Sequence, residues 1–211
     1  MEIVWLGHSC FKIRGKEAAI VTDPFNKTLG YPVKKPTASI VTVSHQHPQH
    51  SFVEGVTGDP RVVSKPGEYE IANVFINGIA TFHDAEKGEQ RGKNTVYVIR
   101  IEDMSICHLG DLGHVPTAEQ IEQMGDIDIL MVPVGGGATI GAAAAAETIS
   151  LLQPKIAIPM HYKTDVINIE LAPLGPFLKE MGVKEVVSQP KLNISKSSLP
   201  AETSIVVFDY S

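Results

Sequence analysis

Three histidines, His45, His47 and His50, lie within six residues directly after an apolar run at positions 40–43. Imidazole binds metal ions readily near neutral pH because its neutral ring nitrogen offers a lone pair without first losing a proton. Side chains at positions i and i+2 of an extended segment point the same way, so His45 and His47 can bind one ion. His50 follows the turn marked by Pro48 and can face a second ion. Three solvated loop histidines are the alternative, but so dense a cluster favours metal binding.

The sequence SHQHPQH at residues 44–50 resembles the His-x-His-x-Asp-His signature of the metallo-β-lactamase superfamily. That superfamily continues with a lone His at a strand end, an Asp after a Gly at another strand end, and a late His. Here those positions look like His83, Asp111 and His161. The sequence WLGHSCF at residues 5–11 and the later TDP at residues 22–24 look like the compact bacterial branch that includes ascorbate-6-phosphate lactonase-like proteins. The resemblance covers nearly the whole chain.

This resemblance implies an α+β fold, the four-layer αββα sandwich of the superfamily, with residues 1–211 forming a single domain. It also implies a hydrolase that uses a metal-bound hydroxide on an ester, lactone or phosphodiester bond. The expected substrate is a small, anionic molecule. Such chemistry is available because a bound metal lowers the pKa of its water from ~15.7 toward ~7.

Two neighbouring metal sites are expected from the resemblance. Asp111 is the natural bridge between them, because a carboxylate has two oxygens and a charge that can hold two cations. Asp111 and His50 are also assigned catalytic roles, and no organic cofactor is expected. Zn²⁺ is the expected ion, with Mn²⁺ or Fe²⁺ as alternatives, because His/Asp sites accept these metals according to availability. The residues assigned to the first ion are His45, His47 and His83, and those assigned to the second are His50, Asp111, His161 and Gln49.

Gln49 departs from the family signature, which has Asp at this position. A glutamine side chain offers a metal only a neutral carbonyl oxygen and brings no charge. The sequence therefore predicts one tightly held ion and a second that is held weakly. It also leaves open a second interpretation, in which the chain is a degenerate member that binds a metal or ligand without turnover.

Two further residues are candidates for roles beside the ligands. In the family that the chain resembles, the turn containing His8 lies close to the site, so His8 can contact substrate, orient a ligand or make a structural hydrogen bond. Asp23 ends the third predicted strand and can orient a ligand histidine. Its alternative is a turn cap, a common role for Asp before Pro.

The chain has 211 residues, of which 43% are hydrophobic. A chain of this length and composition can form one substantial core. The formal net charge of −6 argues against a general nucleic-acid binder. No apolar run approaches the ~20 residues of a membrane helix. Only Cys10 and Cys107 are present and the first residues do not read as a secretion signal, so a cytoplasmic location is expected. The predicted partner is a small-molecule substrate, and the oligomeric state is not predicted.

The elements that must hold these side chains are short strands in the first half and alternating strands and helices in the second. Such an order favours two sheets packed face to face with helices outside. The pattern predicts strands at 3–6, 10–13, 18–22, 40–43, 62–63, 69–71, 74–76, 79–81, 95–101, 104–109, 127–133, 155–159 and 204–208, and helices at 116–124, 142–152 and 171–181.

Overall fold

The computed structural model describes residues 1–32 and 34–210, which form two β-sheets packed face to face. The strands of the first sheet are β1 (Glu2–Gly7), β2 (Cys10–Arg14), β3 (Ala19–Thr22), β4 (Ile40–Thr42), β5 (Arg61–Val63) and β12 (Leu192–Asn193). Those of the second are β6 (Gly67–Ile71), β7 (Val74–Phe82), β8 (Lys93–Ile101), β9 (Met104–His108), β10 (Ile129–Pro133), β11 (Ile156–Met160) and β13 (Ser204–Ile205). The strand orders are β12-β1-β2-β3-β4-β5 and β13-β11-β10-β9-β8-β7-β6.

Both sheets are mixed, and each has a parallel part that matters for the site. Strands β3, β4 and β5 are parallel in the first sheet, and β9, β10, β11 and β13 are parallel in the second. All five residues of β10 and of β11 are buried, as expected of parallel strands covered on both faces. Because parallel strands end at one edge of a sheet, the segments that follow β3, β4, β9 and β11 can meet there.

The core between the sheets is built from alternate residues of facing strands. Trp5 and Phe11 of the first sheet and Tyr97 and Ile99 of the second are each at most 1% exposed. The Tyr97 hydroxyl donates to the Val43 carbonyl at 2.9 Å, so its one polar atom is satisfied inside the core. This bond joins β8 to the segment that begins the histidine cluster.

Within residues 1–32 and 34–210, three α-helices lie outside the second sheet: α1 (Ala118–Met124), α2 (Ala142–Leu152) and α3 (Gly175–Glu180). A capping box between Thr117 and Gln120 starts α1, and the Gln120 amide also donates to Ala80 O of β7 at 3.2 Å. The outer face of the first sheet is covered by a separate apolar cluster that includes Phe25, Leu29 and Tyr31. Among the described residues, no helix is both long and apolar enough to cross a membrane.

The predicted two-sheet sandwich is confirmed, with differences at a few elements. The predicted strands at 74–76 and 79–81 are one strand, β7. Gly78 interrupts the apolar pattern there because a Cβ at this position would lie 2.8 Å from Lys65 O. The helix predicted at 171–181 is only Gly175–Glu180, since Pro173 cannot continue a helix and Pro176 fits only its first turn. The strand predicted at 204–208 stops at Ile205, and β12 was not predicted.

Candidate metal centre

Side chains from six segments of the chain converge at one edge of the sandwich. The segments come from both sheets, so the site spans the interface between them. Loops held by rigid strand ends are positions where side chains are fixed yet open to a substrate. The segments are the β1–β2 turn with His8, the end of β3 with Asp23, the loop after β4 with His45, His47 and His50, the end of β7 with His83, the loop after β9 with Asp111, and the end of β11 with His161.

The backbone at this edge takes a left-handed conformation at three non-glycine residues. The φ angles are 54° at His8, 38° at Asp23 and 53° at His161. Each such residue costs about 1–3 kcal/mol and persists only where its surroundings fix it. Here the His8 carbonyl accepts from Trp5 Nε1 at 2.9 Å and from the His161 amide at 3.2 Å, which ties the two strand ends together. Strain of this kind is concentrated at functional sites.

The Asp111 carboxylate is the centre of the arrangement. Its Oδ2 lies 3.1 Å from His50 Nε2, 3.3 Å from His83 Nε2 and 3.4 Å from His161 Nε2. The backbone amide of Asp111 donates to Asn94 Oδ1 at 3.0 Å, which fixes the loop that carries it. One buried carboxylate thus contacts three of the predicted ligands, which come from both predicted sites.

The solvent-facing part of the centre contains His45, His47 and His83. Ligand atoms of His45, His83 and Asp111 all lie within 4.8 Å of one another, and so do those of His45, His47 and His50. The predicted first set, His45, His47 and His83, is therefore brought together around His45, while His47 groups with His50 rather than with His83. His47 is exposed and His45 half-buried, so this side of the centre is open to water.

The inner part of the centre contains His8, His50 and His161, whose ligand atoms also lie within 4.8 Å of one another. These three residues are at most 3% exposed. The Gln49 side chain is half-buried and makes no hydrogen bond with any described residue, while its backbone amide donates to His47 Nδ1 at 3.3 Å. The structure thus places His8 beside two residues of the predicted second set, whereas the Gln49 side chain forms no hydrogen bond with that set.

Hydrogen bonds to the far side of the rings orient the predicted ligands. Asp23 Oδ2 lies 3.0 Å from His50 Nδ1 and accepts from the Ser44 hydroxyl at 2.6 Å. That hydroxyl lies 3.0 Å from His45 Nδ1, and the Ala138 carbonyl lies 3.0 Å from His83 Nδ1. Each contact at Nδ1 leaves Nε2 to face the centre.

The sequence indicated Asp23 as an orienting residue but missed three others. Ser44 adjoins His45 in the sequence, and that adjacency is the signal that could have identified it. Asn94 and the backbone carbonyl of Ala138 carry no such signal, because each reaches the centre only through the tertiary fold.

The electrostatic environment divides the titratable groups into two kinds. Burial lowers the pKa of His45 to about 4 and places that of His8 well below its usual range, with repulsion from other histidines adding to the effect. Burial also opposes the charged form of His50, but Asp111 raises its pKa to about 10. Burial would raise the pKa of Asp111, yet His161 and His50 hold it well below its usual range. These shifts favour the anion of Asp111, the cation of His50 and the neutral rings of His8 and His45.

This donor set fits divalent transition metals. Imidazole nitrogens with a single carboxylate suit Zn²⁺ and its neighbours in the first transition row better than they suit Mg²⁺ or Ca²⁺. In addition, the buried Nδ1 atoms of His8 and His161 have no hydrogen-bond partner among the described residues. Buried polar groups without a partner are rare and call for an explanation. Ligand atoms of both rings lie within 4.8 Å of each other and of a His50 ring nitrogen, as expected of rings arranged around an ion.

Comparison with known families agrees with this geometry. A family model described as a beta-lactamase superfamily domain matches residues 2–161, from the first strand to the last histidine of the centre. The chain belongs to the metallo-β-lactamase superfamily. The fold class predicted from the sequence, the α+β sandwich of this superfamily, is confirmed by the same match and by the crystal structure described in the next paragraph.

Related proteins of this superfamily are found in archaea and bacteria. A UPF0173 metal-dependent hydrolase of Thermoplasma volcanium is 32% identical, with 81% of this chain and 87% of the relative covered. A UPF0173 protein of Pyrococcus abyssi is 30% identical over 78% of this chain and 84% of its own. A crystal structure from Thermotoga maritima, named for a Zn-dependent hydrolase of the superfamily, is 41% identical with a TM-score of 0.80, covering 98% and 97% of the two chains. These relatives confirm the predicted class, a metal-dependent hydrolase.

Proposed function

We propose that the chain hydrolyses an ester, lactone or phosphodiester bond of a small anionic molecule with two metal ions, of which Zn²⁺ is the first candidate. The observation that carries this proposal is the buried Asp111 carboxylate, which contacts ring nitrogens of His50, His83 and His161 within 3.4 Å. A carboxylate so placed can serve two cations. The exposure of His47 beside it supports access for a substrate from solvent.

The chain's own residues would divide the work as follows. His45, His47 and His83 would hold the outer ion, His50 and His161 would hold the inner one, and Asp111 would serve both. Ions in such sites lower the pKa of bound water and polarise the substrate oxygen. A proton that Asp111 stabilises on His50 would compete with the inner ion for this ring. Asp23, Ser44 and the Ala138 carbonyl fix the rings by their Nδ1 contacts, so that the donors are oriented before the ions arrive.

The charge of the proposed centre favours an anionic substrate. Asp111 is the one carboxylate in contact with the ligand nitrogens among the described residues, apart from Asp23 on the outer side of His50. Two divalent ions therefore leave the centre strongly positive, even though the whole chain carries a formal charge of −6. A phosphoryl or carboxyl group near the scissile bond would find its countercharge there.

The cytoplasm is the compartment we propose. Both cysteines, Cys10 and Cys107, are free and buried, and burial raises the pKa of both thiols. Free thiols of this kind suit a reducing compartment.

A second candidate function is metal or ligand binding without turnover, and Gln49 is the observation that favours it. The deciding experiment begins with metal analysis of protein purified without a tag or added metal. The same protein is then assayed on chromogenic phosphodiesters, lactones and carboxylate esters. Each assay is run with chelator and again after Zn²⁺ or Mn²⁺ is restored, and Asp111→Asn is assayed in parallel as the control. Hydrolysis that needs metal and Asp111 supports the enzyme. Stable metal binding without turnover, together with a large increase in hydrolysis in Gln49→Asp, supports the degenerate member.

A further inference from the structure

His8 lies against the inner part of the centre, and its ring has no hydrogen-bond contact with a described residue other than His50. Its imidazole is fully buried, and its Nε2 lies 3.2 Å from His50 Nε2. Its ring also packs on that of His161, with centroids 4.2 Å apart. The backbone of the turn is held separately, since the His8 carbonyl, not its ring, accepts from Trp5 and His161.

We infer that His8 is a direct ligand of the inner ion and takes the place of the aspartate that the family signature has where this chain has Gln49. This inference rests on the two-metal centre of the proposed function. It gives the inner ion four donors, from His8, His50, His161 and Asp111. The lost aspartate is thereby compensated from the β1–β2 turn rather than from the histidine cluster itself.

The spacing of the nitrogens agrees with this role. Two nitrogens bound to one tetrahedral Zn²⁺ at about 2.0–2.1 Å lie about 3.3 Å apart. The observed 3.2 Å between the Nε2 atoms of His8 and His50 matches that separation, as does the 3.4 Å between His161 Nε2 and Asp111 Oδ2. The Gln49 side chain, by contrast, is half-buried and bonded to no described residue.

A hydrogen bond between His8 and His50 would also give 3.2 Å, but it explains less. His50 Nε2 already faces Asp111 Oδ2 at 3.1 Å, and a ring nitrogen carries at most one hydrogen, so it cannot donate fully to His8 Nε2 at 3.2 Å as well. The Nδ1 of the buried His8 ring has no partner among the described residues in either case, at a cost of about 1–3 kcal/mol. The free energy of a bond between the ring and a metal ion would offset this cost.

Replacing a carboxylate by an imidazole keeps the number of donors but removes a negative charge. The inner ion is therefore held by a complete set of donors with less electrostatic attraction. This agrees with the prediction of one tight and one weaker ion. The weaker binding of the inner ion is then explained by a missing negative charge rather than by a missing ligand.

The test compares wild type, His8→Asn, Gln49→Asp and the double variant H8N/Q49D. Asparagine is chosen because it tolerates the left-handed conformation of residue 8, so the turn is preserved. Metal-free protein is titrated with Zn²⁺ against a chromophoric chelator and, separately, with Co²⁺ while its visible absorption is recorded. The melting temperature of each metal-free variant is measured alongside.

Wild type is expected to bind two ions, and His8→Asn to lose at least about tenfold in affinity for the weaker ion alone. The Co²⁺ absorption of that ion should change as well. H8N/Q49D should regain the second ion, because the aspartate restores the ligand in its family position. An unchanged second affinity in His8→Asn would overturn the inference. The inference would also be overturned if both His8→Asn and the double variant bound the second ion weakly and their metal-free forms melted at a lower temperature. That combination is expected if His8 only stabilises the fold. Wild type that binds no Zn²⁺ would overturn the proposed function itself.

Discussion

Three histidines of the proposed centre use their two ring nitrogens in different ways. For His45, His50 and His83, Nδ1 contacts a neighbouring oxygen at about 3.0 Å, and Nε2 is left to the centre. Asp23 is the most connected of the orienting groups, because its carboxylate also accepts the amide and hydroxyl of Ser44. It acts on the site through other residues and is a positioning residue.

Asp23→Asn should lower the affinity for the inner ion by about 10–100-fold, since orienting partners have effects of this size. The affinity for the outer ion should fall less, because Ala138 holds His83 and Asp23 reaches His45 only through the Ser44 hydroxyl. Competition titration with Zn²⁺ measures both affinities. Asp59→Asn is the matched control, as Asp59 is exposed and also left-handed, with φ 52°. Equal loss of both ions in Asp23→Asn would contradict a role exerted mainly through the direct contact with His50.

Asp111→Asn removes the only charge that both ions would share. We expect kcat/KM to fall by at least about 100-fold and neither ion to be retained after dialysis. Metal analysis and steady-state kinetics on the same samples test this. The control is Asp128→Asn, which removes a carboxylate bound 2.8 Å from Lys196 Nζ, away from the centre. Retention of two ions in Asp111→Asn would show that this carboxylate does not bridge them.

The sequence predicted most of the residues that converge at the proposed centre, but not the backbone conformations that bring them together. His45, His47 and His50 were recognisable by spacing, and His83, Asp111 and His161 by resemblance. The position of His8 depends on the left-handed turn at φ 54° and on the carbonyl bonds that hold it. Such a turn is set by tertiary contacts, so the local sequence left the role of His8 open.

Among the elements, the loop after β7 has a fixed shape because of one carboxylate. Asp84 accepts four backbone N–H bonds of 2.7–3.1 Å, from Glu86, Gly88, Gln90 and Arg91. The His83 amide donates to Gly92 O at 3.0 Å, so the closed loop also holds the predicted ligand at its start. Desolvation alone would raise the pKa of Asp84, but the four N–H bonds hold it below its usual value.

A depressed pKa in the folded state means that Asp84 stabilises the fold above its unfolded pKa of about 3.9, and that this is lost as pH falls further. Asp84→Asn should therefore lower the melting temperature at neutral pH, and its difference from wild type should shrink below about pH 4. Thermal unfolding across this pH range tests the sign. Glu86→Gln, an exposed acid of the same loop, should show no such dependence. A difference that stays constant with pH would rule out the carboxylate as the cause.

Most strands followed from the sequence because apolar runs bounded by turns are a strong local signal. The exceptions have identifiable causes. The two residues of β12, Leu192 and Asn193, pair with β1 from the far end of the chain and carry no periodic pattern of their own. At Gly78 the apolar pattern of β7 is interrupted because the backbone of Lys65 approaches too closely for a side chain. The local sequence does not reveal that approach.

For the whole molecule, the centre joins the two sheets at one edge. His8, Asp23, His45, His47 and His50 belong to the first sheet and its loops, whereas His83, Asp111 and His161 belong to the second. An ion held by residues of both sheets binds the folded chain far better than the unfolded one. Metal binding is therefore expected to stabilise the entire sandwich rather than one loop.

Free Zn²⁺ at about 100 times its dissociation constant should add about 2.7 kcal/mol to the free energy of unfolding. For a chain of this size that corresponds to a rise in melting temperature of about 5–10 °C over chelator-treated protein. Thermal unfolding with chelator, Zn²⁺, Mn²⁺ or Mg²⁺ measures it. Mg²⁺ is the control, because it prefers oxygen ligands and the centre offers imidazoles. Asp111→Asn should show almost no rise with any ion. An equal rise with Mg²⁺, or a full Zn²⁺ effect in Asp111→Asn, would place the stabilising ion elsewhere on the molecule.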